Sequence, residues 1–335
     1  MKSTVSAVLL TCLAVAGCTT APPPSSAPPP SAPATSAPAT SAAAPATAVR
    51  VAALKGPTGM GLAKLMSDQA ATVQATIHGT PDEVTPALIK GDLDVALLPA
   101  NLAAVLNART NGAVQVAAVA NLGVLYVIEA GDTVHTLADL SGKTVATTGK
   151  GTTPQYVADF LLAKAGLTGK VDLQYRSEAS EVATALVGGQ TSLAILPEPY
   201  VSTVLAKKPG LRVALDLTAE WTKAAPDSQF VTGVVVVRKQ FAQDHPDAFA
   251  AFLDGYKSSV AFTNDHPDEA APLIAAQGIV PDAATARTAI PRCHLVALTG
   301  AAAKTAIAGY LQVLYAANPE STGGKLPDDA FYFGA

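Results

Sequence analysis

Residues 91–99, Gly-Asp-Leu-Asp-Val-Ala-Leu-Leu-Pro, are echoed at 189–197 by Gly-Gln-Thr-Ser-Leu-Ala-Ile-Leu-Pro, 98 residues further along the chain. Ahead of each copy stands a related turn, Lys-Gly-Pro-Thr at 55–58 and Lys-Gly-Thr-Thr at 150–153. Each turn follows a strand candidate and precedes a helix candidate. Strands that alternate with helices indicate βαβ units with a mainly parallel sheet. The repeated order therefore predicts an α/β protein with two lobes of like construction.

Two further β-rich stretches, 122–129 and 230–238, lie between the two repeats and after the second one. We predict that they are strands that cross between the lobes. The corresponding bounds are 49–123 with 235–335 for lobe 1 and 124–234 for lobe 2. Two connections, unlike one, permit hinge closure around a ligand.

The N-terminus has the pattern of a secretory signal. Lys2 supplies a positive charge, an almost unbroken apolar run follows from Val5 to Ala16, and small residues lead to Cys18. That run is shorter than the ~20 residues of a membrane-spanning helix. The cysteine at the cleavage site resembles the bacterial lipobox, so we predict a lipoprotein signal peptide at 1–17 and a lipid on Cys18. An ordinary signal peptide that contains a cysteine is the alternative.

Residues 19–48 consist only of Ala, Pro, Ser and Thr. Such a segment cannot bury a core and favours an extended, polyproline-like chain. We predict that 18–48 is a disordered tether behind the lipidated cysteine. The protein is then extracytoplasmic and attached to the cell membrane by the lipid anchor alone.

Composition and motifs exclude several function classes. With 22 basic and 26 acidic residues and a net charge of −4, the chain lacks the basic field that nucleic-acid binding requires. The sequence has no zinc-helix, nucleophile-elbow or phosphate-loop motif, and its five histidines are dispersed. Cys293 and His294 are adjacent, but neighbouring side chains of an extended segment point to opposite faces. We therefore predict no enzyme activity, no cofactor and no metal.

Ligands of open α/β sheets bind beyond the carboxyl ends of the strands, where helix N-termini favour anions. The turns 56–61 and 149–153 occupy such positions, and Lys55 and Lys150 would add charge if they face the cleft. We predict that the ligand is bound by residues of these turns and of the neighbouring strand ends. They are Gly56, Thr58, Gly59, Met60, Asn101, Asn121, Thr148, Gly151, Thr152, Thr153, Glu198 and Thr232.

Alternative roles remain open for several of these residues. Asn101 either borders the cleft or caps its helix. Glu198, between two prolines, either pairs with an amine or amidine of the solute or complements the positive end of the following helix. Trp221 and Tyr156 either stack on a planar ligand or serve packing.

Four segments carry a resemblance to a known family: 54–61 (LKGPTGMG), 137–145 (LADLSGKTV), 231–239 (VTGVVVVRK) and 324–332 (GKLPDDAFY). They resemble substrate-binding lipoproteins of ABC transporters, in the sulfonate, nitrate and thiamine-precursor branch of the type II periplasmic-binding fold. The resemblance spans about 49–332. It implies two lobes, each a mainly parallel sheet flanked by helices, joined by two crossing strands.

The resemblance also implies a function. The protein would capture a small polar solute, anionic or zwitterionic, in the cleft between the lobes and deliver it to an ABC permease with its ATPase, as a monomer. Two alternatives are an enzyme on the same fold that acts on a pyrimidine-like or carboxylate metabolite, and a sensory or surface lipoprotein that lost transport.

Overall fold

Two mixed β-sheets organise residues 47–335, which are the residues that the computed structural model describes. The strands are β1 (Val49–Leu54), β2 (Val73–His78), β3 (Val95–Pro99), β4 (Val114–Leu122), β5 (Leu125–Ala130), β6 (Thr144–Thr148), β7 (Asp172–Arg176), β8 (Leu193–Pro197), β9 (Leu211–Asp216), β10 (Val231–Arg238) and β11 (Leu295–Thr299). The predicted signal peptide, the lipidation site at Cys18 and nearly all of the predicted tether lie outside the described residues.

Helices flank both sheets. They are α1 (Pro57–Met60), α2 (Ala63–Asp68), α3 (Thr85–Lys90), α4 (Ala100–Arg109), α5 (Thr153–Lys164), α6 (Ala179–Val187), α7 (Tyr200–Lys207), α8 (Leu217–Ala224), α9 (Lys239–Asp244), α10 (Pro246–Asp265), α11 (Pro267–Ala276), α12 (Ala283–Ala289) and α13 (Gly300–Ala317). In the part of the chain from residue 47 onward, no helix combines the length and apolar character that crossing a membrane requires.

The two sheets share one strand order, which confirms the predicted pair of similar lobes. The first sheet runs β2-β1-β3-β10-β4 with β11 at its edge, and the second runs β7-β6-β8-β5-β9. In each sheet, the third strand is followed by an antiparallel strand: β10 beside β3, and β5 beside β8. Both antiparallel strands, β5 and β10, begin directly after the chain has crossed from the other lobe.

The chain passes between the lobes in two short segments. Gly123 and Val124 connect β4 to β5, and residues 225–230 lead from α8 back to β10. The two stretches predicted to cross are largely strands of a single sheet: β5 belongs to the second sheet, and β10 pairs within the first, with β4 from Val231 and with β3 from Gly233. A strand with neighbours on both sides satisfies its backbone hydrogen-bonding groups inside one sheet. The chain therefore crosses between the lobes in the coil residues that precede each of these strands.

Local sequence signals set the ends of several elements. A capping box begins the helical segment after β2, since the Glu83 carboxylate accepts from the Thr80 backbone N–H at 3.1 Å. It begins a single turn of 3₁₀-helix, Pro81–Glu83, and the α-helix α3 starts only at Thr85. The helical segment is therefore divided in two.

An aromatic cluster joins the lobes at the second crossing. Trp221 is fully buried, and its ring centroid lies 5.0 Å from Phe160, 5.4 Å from Phe230 and 5.3 Å from Tyr310. Its indole N–H donates to the Ser228 carbonyl at 3.1 Å. These rings come from α5 and α8 of the second lobe, from the crossing segment and from α13 of the first lobe. Trp221 therefore serves packing, which was one of its two predicted roles.

A buried carboxylate ties three strands of the first sheet together. Asp94, 2% exposed, precedes β3 and accepts from the Arg50 guanidinium of β1 at 2.6 Å and from the Arg238 guanidinium of β10 at 2.9 Å. The Arg50 backbone N–H donates to the same carboxylate. This network lies at the amino-terminal ends of β1 and β3, which is the end of the sheet opposite to the cleft.

Candidate functional site

A cavity of about 150 Å³ lies between the lobes at the carboxyl ends of the strands. We call it the inner cavity. A cavity of this volume suits a small solute. It is lined by Leu54, Lys55, Pro57, Thr58, Gly79, Thr80, Pro81, Pro99, Val124, Leu125, Thr148, Gly149, Thr152, Thr153, Pro154, Ser177, Glu178, Ala179, Pro197, Tyr200 and Thr232.

Threonines supply much of the polar wall, and five of them are among the predicted ligand-binding residues: Thr58, Thr148, Thr152, Thr153 and Thr232. Thr232 is the most informative, because its hydroxyl oxygen is buried and has no hydrogen-bond partner among the described residues. Buried polar atoms are almost always paired. An unpaired hydroxyl at a cavity wall is therefore available to a ligand or to a water molecule.

Three helices of the second lobe begin at the inner cavity. They are α5, α6 and α7, of 12, nine and eight residues, and residues at or just before their first turns line the wall. The first-turn N–H groups of a helix have no partner within the helix, and they carry partial positive charge. The sequence predicted this contribution for the turn before α5 and for the residues before α7, but not for α6.

Glu198 does not line the cavity, and the second of its two predicted roles is the one observed. Its fully buried carboxylate accepts from the Ser202 backbone N–H at 3.0 Å and from the Ser202 hydroxyl at 3.1 Å, in the first turn of α7. The Arg292 guanidinium of the first lobe lies 3.4 Å away. Burial raises the pKa of Glu198, although the contacts with Ser202 and Arg292 oppose this shift.

Asn101 connects the lobes instead of facing the cavity. This fully buried residue of α4 accepts from the Thr153 hydroxyl at 3.2 Å, and its amide donates to the Gly151 carbonyl at 3.4 Å and to the Ser321 carbonyl at 3.2 Å. The Tyr310 hydroxyl donates to Thr153 in turn, at 3.4 Å. Since Gly151 and Thr153 belong to the second lobe, Asn101 holds the turn before α5 against the first lobe.

The remaining predicted residues lie behind the wall. Met60 is fully buried in the core of the first lobe, because α1 turns its side chain away from the cleft. A Cβ at Gly59 would lie 2.7 Å from the Leu54 carbonyl, so this glycine serves close packing. Gly56 has a φ of 87° and packs on Pro199 of the other lobe. Asn121 is fully buried, and its side-chain oxygen has no partner among residues 47–335.

A second, outer cavity of about 460 Å³ adjoins the first, and both are lined by Thr80, Pro81, Gly149, Thr152 and Ser177. Its wall includes the predicted residue Gly151 together with Tyr156. It also carries the charged side chains of Arg109, Lys150, Arg176, Asp82 and Glu320.

The sequence reasoning missed Glu178 in the inner cavity and Arg109 and Arg176 in the outer one. Arg176 ends β7, and Glu178 is the residue before α6. The rule applied to the other strand ends, that ligands meet the chain just after a parallel strand, would have found both if it had been extended to β7.

A larger groove of about 680 Å³ lies on another side of the molecule, between α5, the segment after α8 and α13. Alanine, valine, proline and phenylalanine form most of its wall. Because it offers few polar groups and no converging helix N-termini, it does not fit a small polar solute.

Cys293 and His294 do not form a nucleophile–base pair. Cys293 is fully buried, and burial raises the pKa of its thiol. The His294 ring nitrogen Nδ1 lies 2.6 Å from the Gly123 carbonyl, at the first crossing. Within residues 47–335, no three His, Cys, Asp or Glu side chains are grouped as metal ligands would be.

We expect Asn101→Ala to weaken ligand binding about tenfold. The change removes the acceptor of the buried Thr153 hydroxyl, which lies in the other lobe, and a buried polar group that loses its partner costs about 1–3 kcal/mol. Titration calorimetry measures the dissociation constant. The matched control is Asn107→Ala on the same helix, since the Asn107 amide donates to Val114 within one lobe. An equal change of the dissociation constant in both variants would contradict a role of Asn101 in closure.

Comparison with known proteins agrees with this geometry. A family model described as "NMT1/THI5 like" matches residues 69–270. A search of curated protein sequences gives no match.

Solved structures match nearly the whole described chain. An ABC transporter protein from Parabacteroides distasonis is 26% identical with a TM-score of 0.71, and the match covers 85% of this chain and 98% of that one. The periplasmic aliphatic sulphonate binding protein SsuA from Escherichia coli is 18% identical with a TM-score of 0.66, over 84% and 92% of the two chains. The periplasmic nitrate-binding protein NrtA from Synechocystis is 14% identical with a TM-score of 0.54, over 68% and 66%.

Proposed function

We propose that this chain, which belongs to the NMT1/THI5-like family, is the extracytoplasmic solute-binding component of an ABC importer. The observation that carries the proposal is a small cavity with threonine hydroxyls on its wall, between two lobes that are joined by two short crossings. Such a connection permits the lobes to open and close around a solute. The match to an ABC transporter protein supports this role.

The solute is small, polar and anionic or zwitterionic. Proteins of the same fold are named for aliphatic sulfonates and for nitrate, which are anions. The N-terminus of α5, which has no acidic residue in its first turn, favours an oxyanion in this chain as well. We propose that Thr58, Thr148, Thr152, Thr153 and Thr232 bind it directly, and that Gly56, Asn101, Asn121, Gly151 and Glu198 hold the wall behind them.

Closure brings the two lobes into an arrangement that the permease, together with its ATPase, recognises. The proposed lobes are residues 49–123 with 231–335 and residues 124–230, because β10 pairs within the first sheet from Val231 onward. A lipid on Cys18 holds the monomeric protein at the membrane, and the tether at 18–48 lets the lobes reach the permease. The role is binding without turnover, and it is supported by Cys293, whose thiol is fully buried and does not line the inner cavity.

A thermal-shift screen of the full chain, purified without refolding, tests the proposal. We expect a small sulfonate, carboxylate or amino acid to raise the midpoint of unfolding, since a ligand at 100 times its dissociation constant stabilises by about 2.7 kcal/mol. Thr232→Val should abolish much of the shift, whereas the exposed Thr288→Val on α12 should leave it unchanged. A panel without any shift, together with no solute co-purified in native mass spectrometry, would contradict the proposal.

A further inference from the structure

Only one of the three helix N-termini at the inner cavity is free of acidic side chains. Glu198 occupies the first turn of α7 through Ser202, and Glu178 immediately precedes α6. By contrast, α5 follows Thr152 and has no acidic residue in its first turn. A carboxylate at a helix N-terminus offsets the partial positive charge there. The terminus of α5 is therefore the positive end of this wall.

Basic side chains lie next to that terminus. Lys150, Arg176 and Arg109 line the outer cavity together with the turn that precedes α5. In the described part of the chain, none of the three forms an ion pair within 4.0 Å. Asp82 and Glu320 also line the outer cavity, so its five charged side chains sum to a net charge of +1. These three side chains therefore add positive charge near the N-terminus of α5, and no acidic side chain of the described residues forms an ion pair with them.

The wall at Glu178 has the opposite character. One oxygen of this carboxylate accepts from the Ser180 hydroxyl at 2.9 Å, and the other lies near Gly79 of the first lobe. Over residues 47–335, Glu178 forms no ion pair, and the exposed ammonium of Lys55 on the same cavity does not reach it within 4.0 Å. Glu178 is thus a carboxylate at the cavity wall without a cationic partner.

Two further polar atoms near the inner cavity lack partners. The Thr232 hydroxyl oxygen lines it, and the Asn121 side-chain oxygen lies on the adjacent strand, against Gly233 and beneath Thr58. An amide oxygen only accepts hydrogen bonds, and a hydroxyl both accepts and donates. A solute or water that donates hydrogen bonds would satisfy these atoms, as it would Glu178.

We infer that the solute is a zwitterion whose ammonium group faces Glu178 and whose oxyanion faces the N-terminus of α5. The inner cavity is small, at about 150 Å³, which favours a compact solute. The inference rests on the proposed function and deepens it, because it distinguishes a zwitterion from a simple anion.

Titration calorimetry of the full chain with two matched ligand pairs tests the inference. One pair is 2-aminoethanesulfonate and propane-1-sulfonate, and the other is 3-aminopropanoate and butanoate; within each pair a methyl replaces the ammonium. We expect the wild-type protein to bind the zwitterion of at least one pair tenfold or more tightly than its partner. Glu178→Gln should bring that ratio close to one.

Two further variants separate a direct contact from a general effect of charge or folding. Glu178→Asp keeps the negative charge and should keep part of the preference. Glu320→Gln removes a carboxylate from the outer cavity only and should leave the ratio unchanged. Thermal unfolding of each variant establishes that it is folded.

The results distinguish failure of the inference from failure of the proposed function. If the simple anions bind as tightly as the zwitterions, or if Glu178→Gln weakens both members of a pair equally, the inference is wrong and the solute-binding role stands. If no member of either pair binds and the wider thermal-shift panel also gives no shift, the proposed function itself fails.

Discussion

Replacing Trp221 with alanine is expected to lower the free energy of unfolding by about 3–5 kcal/mol, the largest effect of any single change considered. The indole is fully buried and contacts Phe160, Phe230 and Tyr310. Its removal leaves a cavity in a cluster built from both lobes and from the second crossing. The variant also strands the Ser228 carbonyl, which accepts from the indole N–H.

Chemical denaturation followed by circular dichroism measures this loss. Fluorescence is unsuitable, because Trp221 is the only tryptophan of the chain and the variant has none. Trp221→Phe is the matched control: it keeps an aromatic ring in the cluster and should lose less than half as much stability. A loss below about 1 kcal/mol for the alanine variant would show that the cluster is not close-packed.

Asp94→Asn is expected to lower the free energy of unfolding by about 3 kcal/mol, because it breaks a buried ion pair from one side. The neutral amide cannot match the Arg50 and Arg238 guanidinium groups, which both donate to the carboxylate of the wild-type protein. The contact joins β1, β3 and β10, so its loss loosens the first sheet at three strands. The control is the exposed Asp92→Asn, whose pair with Lys90 should contribute less than about 1 kcal/mol.

The stabilisation that the Asp94 carboxylate provides depends on pH. Burial by itself raises the pKa of Asp94, but the hydrogen bonds from Arg50 and Arg238 outweigh it and hold the pKa below the ordinary value of 3.8. The stabilisation is therefore complete above pH 3.8 and disappears as the pH falls through the lowered pKa. Denaturation from pH 7 to pH 3 should show a constant difference between wild type and variant that narrows only below pH 3.8. A difference that already narrows near pH 6 would contradict this assignment.

Much of the secondary structure follows from local patterns. Short apolar runs between turn residues form β1, β2 and β6, and a run of this kind specifies a strand through a few neighbouring residues. The repeat at 91–99 and 189–197 corresponds to β3 and β8, which occupy the same position in the two sheets. The predicted strand crossings were less accurate, because the hydrogen-bond partners of a strand are set by segments distant in sequence.

Local sequence relations likewise place some residues of the candidate site correctly and fail for others. Thr58, Thr148 and Thr152 could be placed at the cavity because each ends a parallel strand or lies within four residues after one, and that relation is local. Glu198 follows a strand as well, yet it is occupied by Ser202 and Arg292. The hydrogen bond from Arg292 comes from the other lobe, and the two residues are 94 positions apart in the sequence.

From the order of its residues alone, this chain specifies two α/β halves, the turns at their strand ends and the family to which it belongs, because periodicity, capping and turn chemistry act over a few residues. Only the folded arrangement decides which polar groups are already satisfied within the protein and which remain for a solute. Asn101 and Glu198 find partners across the lobes, while Glu178 and Thr232 are left facing the cavity. The physical reason is that a buried polar atom must be paired by whatever group the other lobe brings to it, and that group lies far away in the sequence.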